Sequence, residues 1–220
     1  MEKITRKPLS EIPSLKVLED NWETWGAEFE AKLTAKPKYS FSWRGGIYSE
    51  LRDQLSNQTQ GHCSFCDGGP LGDTSKETIE HYEPKAQFPL KAYQWENLFY
   101  CCDFCQKKSN KTFEETLRPD SPDFRFDKYF YFDTQTGNVE IYENLSEEET
   151  KKADDFRKRY GINEEKRPQT RISTYKNVRS FILNNDEEDG RIRNDFPHRF
   201  VFDCVLSNLN AQSNIPQPSK

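Results

Sequence analysis

Two Cys-x-x-Cys pairs, Cys63-Ser-Phe-Cys66 and Cys102-Asp-Phe-Cys105, stand 35 residues apart and constrain this chain more than any other feature. A CxxC turn aims two thiolates at one point, and two such turns complete a tetrahedral sulfur site with no open coordination position. The expectation is therefore a structural zinc site formed by Cys63, Cys66, Cys102 and Cys105, closing everything between the pairs into a loop of fixed shape. Five of the six cysteines fall within 43 residues, which is the pattern of a metal site and not of a disulfide framework. Cys101 competes with Cys102, but its use would lengthen the spacing to CxxxC, so it reads as a strand residue facing the core. Cys204 reads as a buried apolar thiol, and His62 is a donor outranked by four better-placed thiols.

The rest of the chain supplies a frame for this site. Aliphatic residues are few and mean hydropathy is −1.02, yet 16 Phe, 10 Tyr and 4 Trp among 220 residues provide enough burial area for one continuous unit. Leu15, Leu18, Trp22, Trp25, Phe29 and Leu33 recur at steps of three and four, predicting an amphipathic helix over about 14–34. Trp43, Ile47, Leu51 and Leu55 repeat the step of four and predict a second helix after Gly45-Gly46. Tyr129 to Phe132 and Val139 to Tyr142 flank a turn in which Gly137 takes positive φ, predicting a β-hairpin. Ser146 and Glu149 fit a capping box for a charged helix ending near Gly161, and Arg171 to Leu183 reads as another helix. The fold class expected is α+β: helical segment 1–60, zinc-bearing core 61–118, hairpin and basic helical region 119–208, and disordered tail 209–220.

No apolar run approaches the roughly 18 residues of a membrane helix, and MEKITRKPLSEIP has no apolar stretch of signal-peptide type. The expectation is a soluble, cytoplasmic protein without membrane partners. Net charge is −5, but residues 151–182 hold ten Lys/Arg against four acids. Two readings of that segment stay open, a phosphate-binding face and an ordinary solvated helix face.

Between the cysteine pairs lie Thr78-Ile79-Glu80-His81-Tyr82-Glu83-Pro84-Lys85 and Trp95-Glu96-Asn97-Leu98, and Gln106-Lys107-Lys108-Ser109-Asn110-Lys111 follows Cys105. His, then Asn, then a polar helix start, bracketed by CxxC pairs, resembles the zinc-bearing HNH endonucleases. The resemblance implies a treble-clef-like ββα-metal core: a strand with an acid and a His, a strand led by Asn, and a helix bearing the third motif residue. It implies phosphodiester hydrolysis. That chemistry needs a deprotonated water, an ion on the phosphate and stabilisation of the departing oxygen. His81 suits the general base, because a neutral imidazole takes a proton near pH 7. Glu80 fits the metal-binding acid, although its side chain leaves the opposite strand face unless the backbone bends. Asn97 would hold the His81 loop. The family places Asn or His directly after the second CxxC, where this chain has Gln106; Gln106 and Asn110 therefore both stand as the third ligand. Oxygen ligands and phosphate suit Mg²⁺. Lys85, Lys107, Lys108 and Lys111 would bind phosphates of the nucleic acid.

Looser agreement over residues 40–185, including Pro119, Pro122, Phe130, Gly137, Gly161-Ile162-Asn163, Arg167 and Arg171, is similar to the PtuB-type HNH subunits of Septu and related retron-associated anti-phage systems. This resemblance implies a cytoplasmic effector paired with a PtuA-type ATPase. The N-terminal helix with its two Trp is a candidate docking surface for it, or part of the protein's own core. A zinc-ribbon module without chemistry and an effector cleaving RNA instead of DNA are the competing readings.

Overall fold

The apolar period of the N-terminal segment forms helix α1 (Lys16–Ala35), entered through a 3-10 turn at Pro13–Leu15. The computed structural model describes residues 1–72, 75–106, 113–184 and 192–213. Helix α2 (Tyr48–Thr59) buries Leu51 and Leu55 and stops where Gln60 turns left-handed, at φ 55, delivering the chain to the first cysteine pair. The helix starts just after Gly45-Gly46, as expected. Trp43 lies before it in a segment without regular structure, since the consecutive glycines 45 and 46 both take positive φ and break any helix there.

Strands β1 (Glu77–His81) and β2 (Leu98–Cys102) pair antiparallel, with Thr78 opposite Cys101, Ile79 opposite Tyr100, Glu80 opposite Phe99 and His81 opposite Leu98. Helix α3 (Asp103–Gln106) follows β2 directly. Both faces of this hairpin are covered. Ile79, Leu98 and Tyr100 join Leu15, Leu18, Phe29, Leu51 and Leu55 in one apolar cluster. Phe99 and Cys101 join Phe65, Phe124, Phe156, Tyr160 and Val201 in another. The second cluster draws on segments from the N-terminus to the C-terminal helix, so the chain packs as interleaved pieces around the hairpin.

Beyond the hairpin come α4 (Phe126–Tyr129), β3 (Phe130–Phe132), β4 (Val139–Ile141), α5 (Glu147–Arg159), α6 (Arg167–Leu183) and α7 (Arg199–Ser213). β3 and β4 form the expected second hairpin, and Ser146 with Glu149 makes the capping box of α5. Gly137 has φ +79, and a Cβ there would lie 2.2 Å from the Pro168 carbonyl oxygen, so this turn seats against the first turn of α6. Helix α7 runs on to Ser213, past the tail boundary set at 209, because Val201 and Val205 are buried and anchor it.

Trp22 and Trp25 of α1 pack against the protein's own core, and Trp25 meets Tyr93 edge-on at 5.4 Å. The same helix rests on the 3-10 turn Pro89–Lys91 through Gly26, where a Cβ would stand 2.3 Å from the Leu90 carbonyl oxygen. That backbone contact cannot yield as a side chain would. Gly26→Ala should gain helix propensity but force α1 off the 89–92 turn. The expected outcome in a denaturant melt is a net loss of about 1–3 kcal/mol, the usual cost of overpacking; unchanged or increased stability would show that the turn moves freely.

Candidate functional site

The four predicted cysteines come together. Their sulfurs all lie within 4.8 Å of one another and all four residues are buried. A tetrahedron with zinc–sulfur bonds of about 2.3 Å has edges of about 3.8 Å, and Cys66 Sγ lies 3.8 Å from Cys102 Sγ. The spacing and the soft all-sulfur donor set fit a zinc ion. Burial pushes the Cys63 and Cys105 thiols up, and a divalent ion would reverse that by holding them deprotonated.

Backbone contacts fix the first cysteine turn. The Ser64 N–H donates to Tyr100 O at 2.9 Å, tying it to β2, and the Cys63 N–H donates to Gly68 O. The start of α7 pins the other side. His198 Nδ1 meets Cys66 O at 3.0 Å, the His198 N–H donates to Asp67 O, and Arg199 grips Asp67 Oδ1 at 2.6 and 3.0 Å. Burial lowers the His198 pKa to about 4, in keeping with a structural imidazole. His62 is likewise occupied, with Nδ1 at Gln60 O and Nε2 at Phe196 O. Cys101 faces the core beside Thr78, 3.2 Å from its hydroxyl.

His81 ends β1 and is 4% exposed. Its Nε2 lies 2.9 Å from Ala92 O. A carbonyl only accepts, so Nε2 carries a proton. Trp43 stacks on the imidazole at 5.7 Å and 13°, and Phe41 meets it edge-on at 5.3 Å. The strap bearing both rings is held by Tyr93, whose hydroxyl donates to Ser42 O at 2.6 Å, and by an Arg44–Glu28 ion pair. Lys85 stands over the Phe41 ring at 5.2 Å, on this same side of the hairpin.

Asn97, 2% exposed, immediately precedes β2. Its Oδ1 accepts from the Glu83 N–H at 2.7 Å, and its Nδ2 donates to Glu83 O and Lys91 O, each at 3.0 Å. Asn97 thus closes the 83–91 loop, while the imidazole itself is oriented one residue further on, by Ala92. Lys91 pairs with Glu83 across the same loop.

Glu80 pairs with Phe99 in an unbroken register, so the backbone does not bend and Glu80 and His81 leave opposite faces of β1. Glu80 lies on the Cys101 and Tyr160 side, where its charge raises both groups' pKa on top of the larger effect of burial. Gln106 is on α3 against β1, and its Nε2 donates to Ile79 O at 3.2 Å. Asn110, Lys107, Lys108 and Lys111 lie outside the described residues.

Much of the charge of the basic 151–182 segment is paired with acids or spent on backbone carbonyls. Lys151 pairs with Glu114 and Asp155, Lys152 with Glu148, Arg157 with Glu140 and Asp154, and Lys158 with Asp154. Arg159 donates to the Glu114 and Tyr82 carbonyls, and Arg171 is buried on Gly137 O, Ile162 O and Asn163 Oδ1. Burial lowers the Arg171 pKa to about 10. Arg167 touches the cysteine cluster itself; burial acts to lower its pKa, and the Cys105 and Cys66 charges override that, so the shift is upward.

Sequence reasoning missed Phe41, Trp43, Ala92 and Arg167. Only the alternation Phe41-Ser42-Trp43 carried a signal, that of an extended segment with two rings on one side. Comparison with known proteins gives no match to a family model and none to a curated protein. Among the described residues no helix is long and apolar enough to cross a membrane.

Cys63→Ser and Cys105→Ser each remove one corner of the tetrahedron. Elemental analysis should find one zinc per chain in the parent and a loss in either variant, with the hairpin unfolding as the metal's contribution to folding is lost. Soluble, folded parent protein without zinc would contradict this.

Proposed function

We propose that this chain is a metal-dependent nuclease of the HNH type, in which a structural zinc at Cys63, Cys66, Cys102 and Cys105 holds a hairpin carrying the reactive residues. The observation that carries the reading is the placement of His81: it ends the strand that the cysteine cluster anchors, and the Ala92 carbonyl orients its ring through Nε2, the kind of positioning that a general base requires. Asn97 supports it by fixing the loop that supplies that carbonyl. In this reading His81 takes the proton of the attacking water, and Glu80 supplies the carboxylate for Mg²⁺. Gln106 through Oε1, or Asn110, adds an amide oxygen. When bound, the ion neutralises charge on the phosphate and on the departing oxygen. Because Glu80 and His81 leave opposite faces, the phosphate would lie at the end of the hairpin, where β1 gives way to the loop after Tyr82.

Lys85, on the His81 side, is the described lysine best placed for a phosphate; Lys107, Lys108 and Lys111 would act from beyond α3. The resemblance to PtuB-type subunits extends the proposal to a cytoplasmic anti-phage effector working with a PtuA-type ATPase on DNA or RNA. One observation favours the competing reading of a zinc module without chemistry: His81 is almost wholly buried under Trp43 and Phe41.

Purified protein incubated with plasmid DNA and with total RNA, with and without Mg²⁺, separates these readings. Mg²⁺-dependent cleavage is expected, and the nucleic acid cut identifies the substrate. His81→Ala should lower the rate by roughly 10²–10⁴ while keeping fold and zinc, because residue 81 is no thiolate ligand. Cleavage by His81→Ala at the parent rate would overturn the assignment.

A further inference from the structure

One Zn²⁺ against four thiolates leaves a net double negative charge in a buried place. Buried charge of that size calls for a compensating cation or hydrogen-bond donors. Arg167, the first residue of α6, stands there. Its Nη2 lies 3.4 Å from Cys105 Sγ and 3.9 Å from Cys102 Sγ, on the second cysteine turn. Its Nη1 donates to Tyr160 O at 2.7 Å and Gly161 O at 3.1 Å, the carbonyls that close α5. The guanidinium is therefore gripped on one side by two carbonyls and aimed on the other at two sulfurs. Phe104, inside the cysteine turn, lies with its ring 5.5 Å from the same guanidinium. Arg171, one turn along α6, spends its donors on Gly137 O, Ile162 O and the Asn163 amide oxygen, so it contributes positive potential without touching sulfur.

We propose that Arg167 is the counter-cation of the zinc centre, hydrogen-bonding the Cys102 and Cys105 thiolates and thereby setting how firmly the metal is held and fastening α6 to it. This rests on the zinc reading of the cluster and is independent of whether the protein cleaves nucleic acid. Hydrogen bonds from a cation to a thiolate draw charge off the sulfur, which lowers its donor strength but stabilises the buried anion as a whole. The planar fork is required, because a lysine ammonium is a point charge that cannot serve two carbonyls and two sulfurs at once.

The test uses the full chain as purified, Arg167→Gln, Arg167→Lys, and Lys176→Gln, which removes the same charge from an exposed place on α6. Two quantities are read: zinc retained against a graded excess of chelator, and the thiolate-to-metal charge-transfer band after replacing zinc with Co²⁺. Arg167→Gln should hold zinc about 10–100-fold less tightly, and its Co²⁺ band should move to lower energy, since sulfur without its hydrogen bonds is a more easily ionised donor. Arg167→Lys should fall between, and Lys176→Gln should match the parent. A helix anchor with no role at the metal would lower melting temperature without moving the band. Parent-like chelator resistance and an unmoved band in Arg167→Gln would overturn the proposal. If that variant does not fold, Arg167→Lys decides by the same two readings. A parent that takes up neither metal overturns the zinc reading, and this inference with it.

Discussion

Everything in this fold that bears on function hangs on the approach of Cys63 and Cys66 to Cys102 and Cys105. The first pair belongs to the turn after α2 and the second to the junction of β2 and α3, so bringing their sulfurs within 4.8 Å fixes where the hairpin stands relative to the helical segment before it. A two-stranded hairpin is marginal alone in water. Here it is held at the cysteine end by the cluster, and both of its faces are buried under separate groups of apolar residues. The loop at its other end is then closed by Asn97 and propped by α1 through the Gly26 contact with Leu90. His81 inherits its position and its ring orientation from those supports.

The packing around the cluster shows how an acidic protein accommodates so many buried cations. Arg167 and Arg171 lie toward the sulfurs, and Arg199 grips Asp67 just beyond Cys66. Each guanidinium has several acceptors arranged for it, which offsets the cost of burying a charge. Three separate stretches of chain, the turn at residues 63–67, the start of α6 and the start of α7, are thereby joined at the cysteines. Loss of the cluster would loosen all three.

What could be read from the sequence is what local chemistry decides. The CxxC pairs announce themselves because a thiolate pair at that spacing has few other uses. The capping box at Ser146 and the turn at Gly137 are local as well, and both are present. Trp43 shares the step of four with Ile47, Leu51 and Leu55 but lies before the helix, where two left-handed glycines and a ring partner on β1 decide its place. The sequence left the basic 151–182 window open between a phosphate-binding and a solvated face because its partners are partly remote: Glu114 and Glu140 fold onto Lys151 and Arg157, and Glu148 pairs with Lys152. No pattern near Arg167 pointed to sulfur, since its partners are more than 60 positions away in the chain.

X-ray absorption at the zinc edge of the purified protein probes the cluster most directly, because it reports the identity and distance of the atoms around the metal. Four sulfurs at about 2.3 Å, with no nitrogen or oxygen in the first coordination sphere, is the result predicted by the geometry of Cys63, Cys66, Cys102 and Cys105. A nitrogen from His62 or His198 in that sphere, or fewer than four sulfurs, would contradict it.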